Sequence, residues 1–516
     1  MDRQLAKAFA PNAASMGYAL FLAINAAGVW GGVFPFLPLE FQTREIIFWF
    51  FLSESLVYFA AYAASAVGAY YLPQLTRKFL VKTASVPYFV GWCLLIAAIY
   101  LDAAALPLVI AGGALLGLGS AGYYMLWQRL FTSEDADTGT RDLLVGTAWS
   151  ALLYYRLHLI PQAVTAFLIT VAFLPLFGLA VTVKSREIDL DQPMFDDIPR
   201  EHPQVYRSVL ADHWRGALCV GALGLCAGVM RSVAVAEPAV GGLVNILSMG
   251  GMFLAAVAVL AVWQSKNLRL SITAVYRLFF PFLITSFLAL PLVGVEYARW
   301  LAAILYAAYG AAIMLMMMQC AQISRDRGIN LVFIYGFYGT IVYALHDLGF
   351  IGGSLAEGST FTGVAPLAIV ALIAVWALGF MQFVGTGGFS GALGRLGRDE
   401  AIELVSPHGP VPGALPAAST AAPHEPAKGA APAMEAGQPI DLIAAQAQVV
   451  RERYRLSARE TEVMELIARG HSVARIAEAL VVSENTIRTH SKRIYAKLDI
   501  HKKQELVDLL ESVGEP

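Results

Sequence analysis

Twelve apolar stretches follow one another through the first three quarters of this chain, at 16–38, 46–72, 84–101, 106–130, 142–160, 163–183, 216–235, 239–263, 271–294, 300–323, 329–352 and 364–384. Each is about the 20 residues that a helix needs to cross a hydrocarbon core. Lipid satisfies no backbone N–H or C=O, so such stretches must be helices. The predicted fold is therefore all-α: a polytopic membrane bundle of about 12 transmembrane helices over residues 1–384, six on each side of the longest internal loop, 184–215. Charged residues make up 14% of the chain, against about a quarter in a soluble domain. The deficit is uneven. Residues 440–516 have the charge density of a soluble domain, so the net charge of −2 averages two unlike parts and excludes nothing. Cys93, Cys219, Cys226 and Cys320 all fall in apolar stretches without metal-ligand spacing, so neither disulfides, a metal nor a cofactor is expected. Arg3 and Lys7 before a long apolar run imitate a signal peptide, but with eleven further spans and no cleavage site the first helix is expected to be retained.

Lysines and arginines fix the expected orientation, because they accumulate on the cytoplasmic side. With the N-terminus inside, the inside segments hold sixteen, from Arg3 and Lys7 through Arg77, Lys78, Lys82 and the five of the central loop to Arg325 and Arg327. The outside loops hold only Arg44 and Arg299, with Arg156 near the end of the fifth span set aside. The expectation is a multi-pass protein of the inner (cytoplasmic) cell membrane, in contact with lipid. An even number of spans places both termini in the cytoplasm.

Six plus six helices around a long loop resembles the major facilitator superfamily of transporters, over about residues 1–384. That family's signature between the second and third helices combines glycines, an aspartate and a basic pair. Here the loop reads Leu72-Pro73-Gln74-Leu75-Thr76-Arg77-Lys78-Phe79-Leu80-Val81-Lys82: the basic residues are present, the glycine and aspartate absent. The departure counts against transport and leaves ligand binding untouched. Ionisable groups within spans mark functional sites by default; they are Glu54, Arg156, Arg231, Arg277 and the pair His346-Asp347. One reading is a polar cavity with Arg231 as the cation for an acidic ligand. The resemblance implies that the first, fourth, seventh and tenth helices line it, making Asn25, Trp30, Tyr123, Tyr124, Arg231, Tyr306 and Tyr309 the candidate lining. In the other reading Arg231 and Arg156 reach to the outer interface and the tyrosines are belt or packing residues. The run Met314, Met316, Met317, Met318 reads as adaptable packing.

Residues 385–439 are predicted to be a flexible linker. From Ser406 to Pro439 there are eight Pro, ten Ala and four Gly, a composition that buries too little apolar surface to fold. Helical character returns over 440–453, a connecting or pairing helix.

The last part, 454–516, reads helix by helix. Ser457 and Glu460 form a capping box, and the helix they open stops at Gly470. Ser472 caps a second helix with Ile476, Ala477 and Leu480 inward. A tight turn at Val481-Val482 follows, and Ser483 caps a third helix that buries Ile487, Ile494 and Leu498. From Glu484 to Lys503 six basic residues face two acids, a local charge of +4. A fourth helix spans about 502–512. A capped helix, a short turn and a basic third helix is the geometry that enters a major groove; periodicity alone would equally allow a small bundle with a solvated face. The wording Leu456-Ser457-Ala458-Arg459-Glu460-Thr461-Glu462-Val463, Val482-Ser483-Glu484-Asn485-Thr486-Ile487 and Ile494-Tyr495-Ala496-Lys497-Leu498 resembles the helix-turn-helix domain of LuxR-type regulators over its whole length.

The resemblance implies four helices, the third reading bases of double-stranded DNA and the fourth forming a homodimer through Leu506, Val507 and Leu510. It makes Arg488, Thr489 and Lys492 the base-edge candidates. Thr486, His490, Arg493, Lys497 and Lys502 fall to phosphates, and Lys497→Ala is expected mainly to flatten the salt dependence of binding. Such regulators usually carry a receiver or a soluble signal-binding domain, and this chain has neither, which leaves the membrane part as the input. The expected function is a membrane-bound one-component transcription regulator controlled by a small molecule; the alternative is a transporter with a fused regulatory domain. No nucleophile–base pair or phosphate loop points to an enzyme.

Overall fold

The computed structural model describes residues 8–30, 43–188, 192–236, 238–293, 295–358, 366–385, 402–404, 442–454 and 456–513. It divides into two compact units, the first comprising Met1–Val262 and Arg269–Ile402, the second Trp263–Leu268 and Glu403–Pro516.

In the first unit twelve helical passages overlap the twelve predicted positions, with residues 31–38 of the first lying outside the described residues. They are α1 (Ala13–Asn25), α2 (Arg44–Tyr71), α3 (Pro73–Tyr100), α4 (Ala105–Ser133), α5 (Ala136–His158) and α6, which runs through Gln162–Leu168, a π turn at Ile169–Phe173 and Leu174–Glu187. The second six are α7 (Pro203–Ala236), α8 (Pro238–Ser265), α9 (Ile272–Val293), α10 (Val295–Arg327), α11 (Leu331–Gly358) and α12 (Pro366–Gly385). Among the described residues nine are long and apolar enough to cross a membrane, and α1 and α12 contain shorter apolar helices. The exception is α5, whose buried face carries Asp142, Thr147 and Ser150. Asp142 is answered by Arg141 at 3.1 Å and Asn12 Nδ2 at 2.6 Å.

Two boundaries depart from expectation. The loop 72–82 is helical from Pro73, which sits at the first helical position where its missing N–H is no loss. The last thirteen residues of the predicted loop 184–215 belong to α7, and its middle is pinned. Gln192 Nε2 donates to the Ser133 carbonyl at 2.6 Å, Arg129 lies over the Phe195 ring, and Asp197 accepts from the Tyr206 hydroxyl. Beyond Gly385, the expected linker lies outside the described residues except for a three-residue strand, Ile402–Leu404.

Glycine allows the closest helix contacts, as is usual in lipid. A Cβ on Gly228 of α7 would lie 2.0 Å from the His346 carbonyl of α11, and one on Gly349 would lie 2.1 Å from the Leu225 carbonyl. Backbone stands against backbone, so nothing can yield without the helices parting. Gly228→Ala is expected to cost about 3 kcal/mol as an overpacked contact, read as a fall in the unfolding midpoint of the detergent-solubilised chain. An unchanged midpoint would show that the two helices separate freely.

The two sets of six are stitched at both ends. At one end Gln128 Nε2 of α4 donates to the Met317 carbonyl of α10 at 2.7 Å. Arg325 of α10 donates to the last carbonyls of α4, Phe131 at 2.8 Å and Thr132 at 3.2 Å. At the other end α1 widens into a π turn, Ala26–Trp30, a form common at functional sites. There Asn245 Nδ2 of α8 donates to the Ala26 carbonyl at 2.8 Å, and Tyr155 Oη of α5 donates to that of Ile246 at 2.9 Å.

The second unit holds α13 (Leu442–Tyr454), α14 (Ala458–Ala468), α15 (Val473–Leu480), α16 (Glu484–Leu498) and α17 (Lys503–Val513). Its core joins Val463, Ile467, Ile476, Ile487, Ile494 and Leu498 with Ala447 and Val450 of α13. The segment expected to connect or pair is thus built into the domain as a fifth helix.

Candidate functional site

Side chains set the local geometry of the second unit. Ser457 Oγ accepts from the Glu460 N–H at 3.1 Å, and the Glu460 carboxylate accepts from the Ser457 N–H at 2.8 Å. At α15 and α16 only the first of these bonds recurs, Ser472 Oγ accepting from the Arg475 N–H and Ser483 Oγ from the Thr486 N–H. Between them Val481 adopts the left-handed conformation, φ 52°, costly for a β-branched residue. Val481→Asn is expected to stabilise the domain by about 1 kcal/mol, a small rise in its unfolding midpoint.

Of the base-edge candidates on α16, Arg488 and Lys492 are exposed and Thr489 half-buried, in a register that puts them on one side of the helix. Arg488 holds Glu484 at 2.9 Å. Both ends of that pair are solvated, so it is weak enough to exchange for a base. Arg493 is half-buried and Lys502 exposed.

Three phosphate candidates are placed differently. Thr486 is 2% exposed, its hydroxyl 2.8 Å from that of Ser483, and His490 is 2% exposed. Both belong to the packing of α16. Lys497 Nζ donates at 2.7 Å to the Glu460 oxygen that also accepts the Ser457 N–H. It ties α16 to the cap of α14, a pairing 37 residues apart that helix periodicity could not disclose. The dimer expectation also narrows: Leu506 and Leu510 are buried in the domain's own core, and Val507 is half-buried. At the start of α17 Glu505 accepts from the His501 and Lys502 N–H groups, which holds its carboxyl below the usual carboxylate range.

In the first unit a cavity of about 150 Å³ lies between the two sets of six, lined from α1, α2, α4, α5, α7, α8, α10 and α11. Tyr124, Arg231, Tyr306 and Tyr309 face it. Asn25 and Tyr123 do not: Asn25 accepts from Tyr88 and Ser120, and Tyr123 donates to Ser85, all in the packing of α1, α3 and α4. The Trp30 side chain lies outside the described residues. Arg156 is exposed away from the cavity, in keeping with the interfacial reading. Arg231 is a cavity residue, its guanidinium 3.9 Å over the Phe51 ring. The groups that periodicity could not bring together are Glu54 of α2 and His346-Asp347 of α11, which share this cavity with Arg231. No group of three or more His, Cys, Asp or Glu able to hold a metal occurs among the described residues.

Residues 454–510 match the bacterial regulatory proteins of the LuxR family. The segment is 47% identical over 53 residues to the oxygen regulatory protein NreC of Staphylococcus haemolyticus, and 45% identical over 53 residues to that of Staphylococcus carnosus. In both comparisons the match covers 10% of this chain and 24% of the relative. Among solved structures, the facilitator-superfamily transporter FucP in its outward conformation aligns over 72% of this chain and 97% of its own, at 12% identity and a TM-score of 0.46. The proton:xylose symporter XylE bound to 6-bromo-6-deoxy-D-glucose aligns over 72% and 94%, at 13% identity and a TM-score of 0.39. Likeness at that distance carries no activity across. The C-terminal domain, by contrast, is a LuxR-type helix-turn-helix, joined in one chain to a multi-pass membrane bundle.

Proposed function

We propose that this chain is a membrane-bound one-component transcription regulator, in which the bundle holds a small-molecule signal and the C-terminal domain binds DNA as a pair. The observation that carries it is one polypeptide with a helix-turn-helix domain, exposed Arg488 and Lys492 on its third helix, and a cavity with charged lining between two six-helix sets. The sixteen-to-two distribution of lysine and arginine supports a cytoplasmic position for both termini, the side on which the domain would meet DNA. A ligand acts here only through unequal affinity for two states of the bundle. The helix-terminal contacts of Arg325 and Asn245 between the two sets are suitable elements for it to bias.

The test is chromatin capture from intact cells, followed by a reporter on the captured promoter. Ser248, which lines the cavity, replaced by phenylalanine is expected to abolish the reporter's response to inducing conditions while DNA binding in vitro persists. An unchanged response refutes sensing; absence of captured DNA refutes the regulator. Because both sets of helices line the cavity, uptake into vesicles remains the measurement for a transporting alternative.

For the DNA contact, Arg488→Ala is expected to lose about 1–3 kcal/mol of specific binding and little non-specific binding. Equal losses on specific and random duplexes would remove Arg488 from base reading.

A further inference from the structure

The sequence suggested an acidic ligand for Arg231. The cavity itself points to the opposite sign. Glu54 and Asp347 line it together with Arg231, so formally two carboxylates face one guanidinium. Asp347 is 4% exposed. Its Oδ1 lies 3.3 Å from His346 Nδ1, whereas Oδ2 is buried and takes no hydrogen bond from any described residue. Tyr309 Oη, in the same cavity, is also buried and without a hydrogen-bond partner among the described residues. A buried carboxylate oxygen without a donor is costly. An acidic ligand would add another anion beside it, whereas an ammonium group supplies the missing donor.

Size and lining say the rest. A space of about 150 Å³ is one that a benzene-sized ring can fill. Tyr58, Tyr124 and Tyr343 face it, and tyrosine faces attract cations as well as rings. We propose that the cavity binds a small organic cation, a primary ammonium on a short chain attached to a single aromatic ring, with the ammonium donating to Asp347 Oδ2 and the ring among the tyrosines. The proposal rests on the sensing role given above and names its ligand class.

The full chain in detergent is titrated calorimetrically with phenethylamine, phenethyl alcohol and phenylacetate. The amine is expected to bind about tenfold or more tighter than the alcohol, and the acid not measurably. Asp347→Asn is expected to bring amine and alcohol to about the same affinity, leaving the alcohol unchanged. Phenylacetate binding more tightly than the amine, equal amine and alcohol affinities in the unsubstituted chain, no binding of any probe, or an amine preference that survives Asp347→Asn would each overturn it. Should Asp347→Asn fail to fold, Glu54→Gln removes the other carboxylate that lines the cavity and is expected to reduce the amine's preference over the alcohol, and an undiminished preference would overturn the proposal. If that ranking fails while Ser248→Phe still silences the reporter, the ligand class falls and sensing stands.

Discussion

Glu460→Ala is expected to destabilise the C-terminal unit by about 3 kcal/mol, lowering its unfolding midpoint by on the order of 10–20 °C. The carboxylate is 5% exposed and does two jobs: it closes the cap on the Ser457 N–H at 2.8 Å and receives Lys497 Nζ at 2.7 Å. Removing it opens the cap and leaves the lysine without its carboxylate. Lys497→Met should cost less, about 1 kcal/mol, because that side chain is partly solvated and its pairing correspondingly screened. A double-mutant cycle separates the two, with a coupling of about 1 kcal/mol expected for the ion pair. If Lys497 served phosphate alone, Lys497→Met would leave the midpoint unchanged and reduce the salt slope of DNA binding by about one. The geometry predicts a lower midpoint instead.

Arg325→Ala is expected to loosen the first unit where α10 meets the end of α4. The last carbonyls of a helix lack partners within it, and Arg325 supplies them for Phe131 and Thr132 from a buried position. Losing that cation leaves polar groups short of donors in a buried place, at a cost of about 2–4 kcal/mol. Cys320, fully buried about a turn and a half earlier on the same helix, reports it. With exposed Cys93 replaced by alanine, maleimide labelling of Cys320 should accelerate by about tenfold or more. Arg325→Lys keeps the charge without the planar fork and should fall between. An unaltered labelling rate would mean that this end is held by other contacts.

What the sequence discloses here follows from how far apart the interacting residues lie. Caps are local: Ser457, Ser472, Ser483 and the left-handed Gly470 are legible because each acts within four residues. The helices of the bundle are legible because lipid imposes their length. The extension of α7 back to Pro203 is not, since that stretch is polar and its helix is fixed by contacts such as Asn330 N–H to Tyr206 Oη at 2.7 Å. For the same reason the pairing of Lys497 with Glu460, 37 positions away, is hidden from helix periodicity. Glu54, Arg231 and Asp347 could each be flagged as expensive in lipid, yet their meeting depends on three helices folding together. The exposed stripe of Arg488 and Lys492 on α16 is legible from spacing, but the burial of Thr486 and His490 is not: both lie on the face that packs.

The interior position of Leu506 and Leu510 has a consequence for how the regulator would count itself. An α17 that spends its apolar face on its own core offers little greasy surface to a twin, so two free domains should associate weakly in solution. Confinement to a sheet of lipid changes the arithmetic, because encounters then depend on copies per unit of membrane area. On the proposed reading, promoter occupancy would climb steeply with surface density, and the abundance of the protein would itself set the gain of the response.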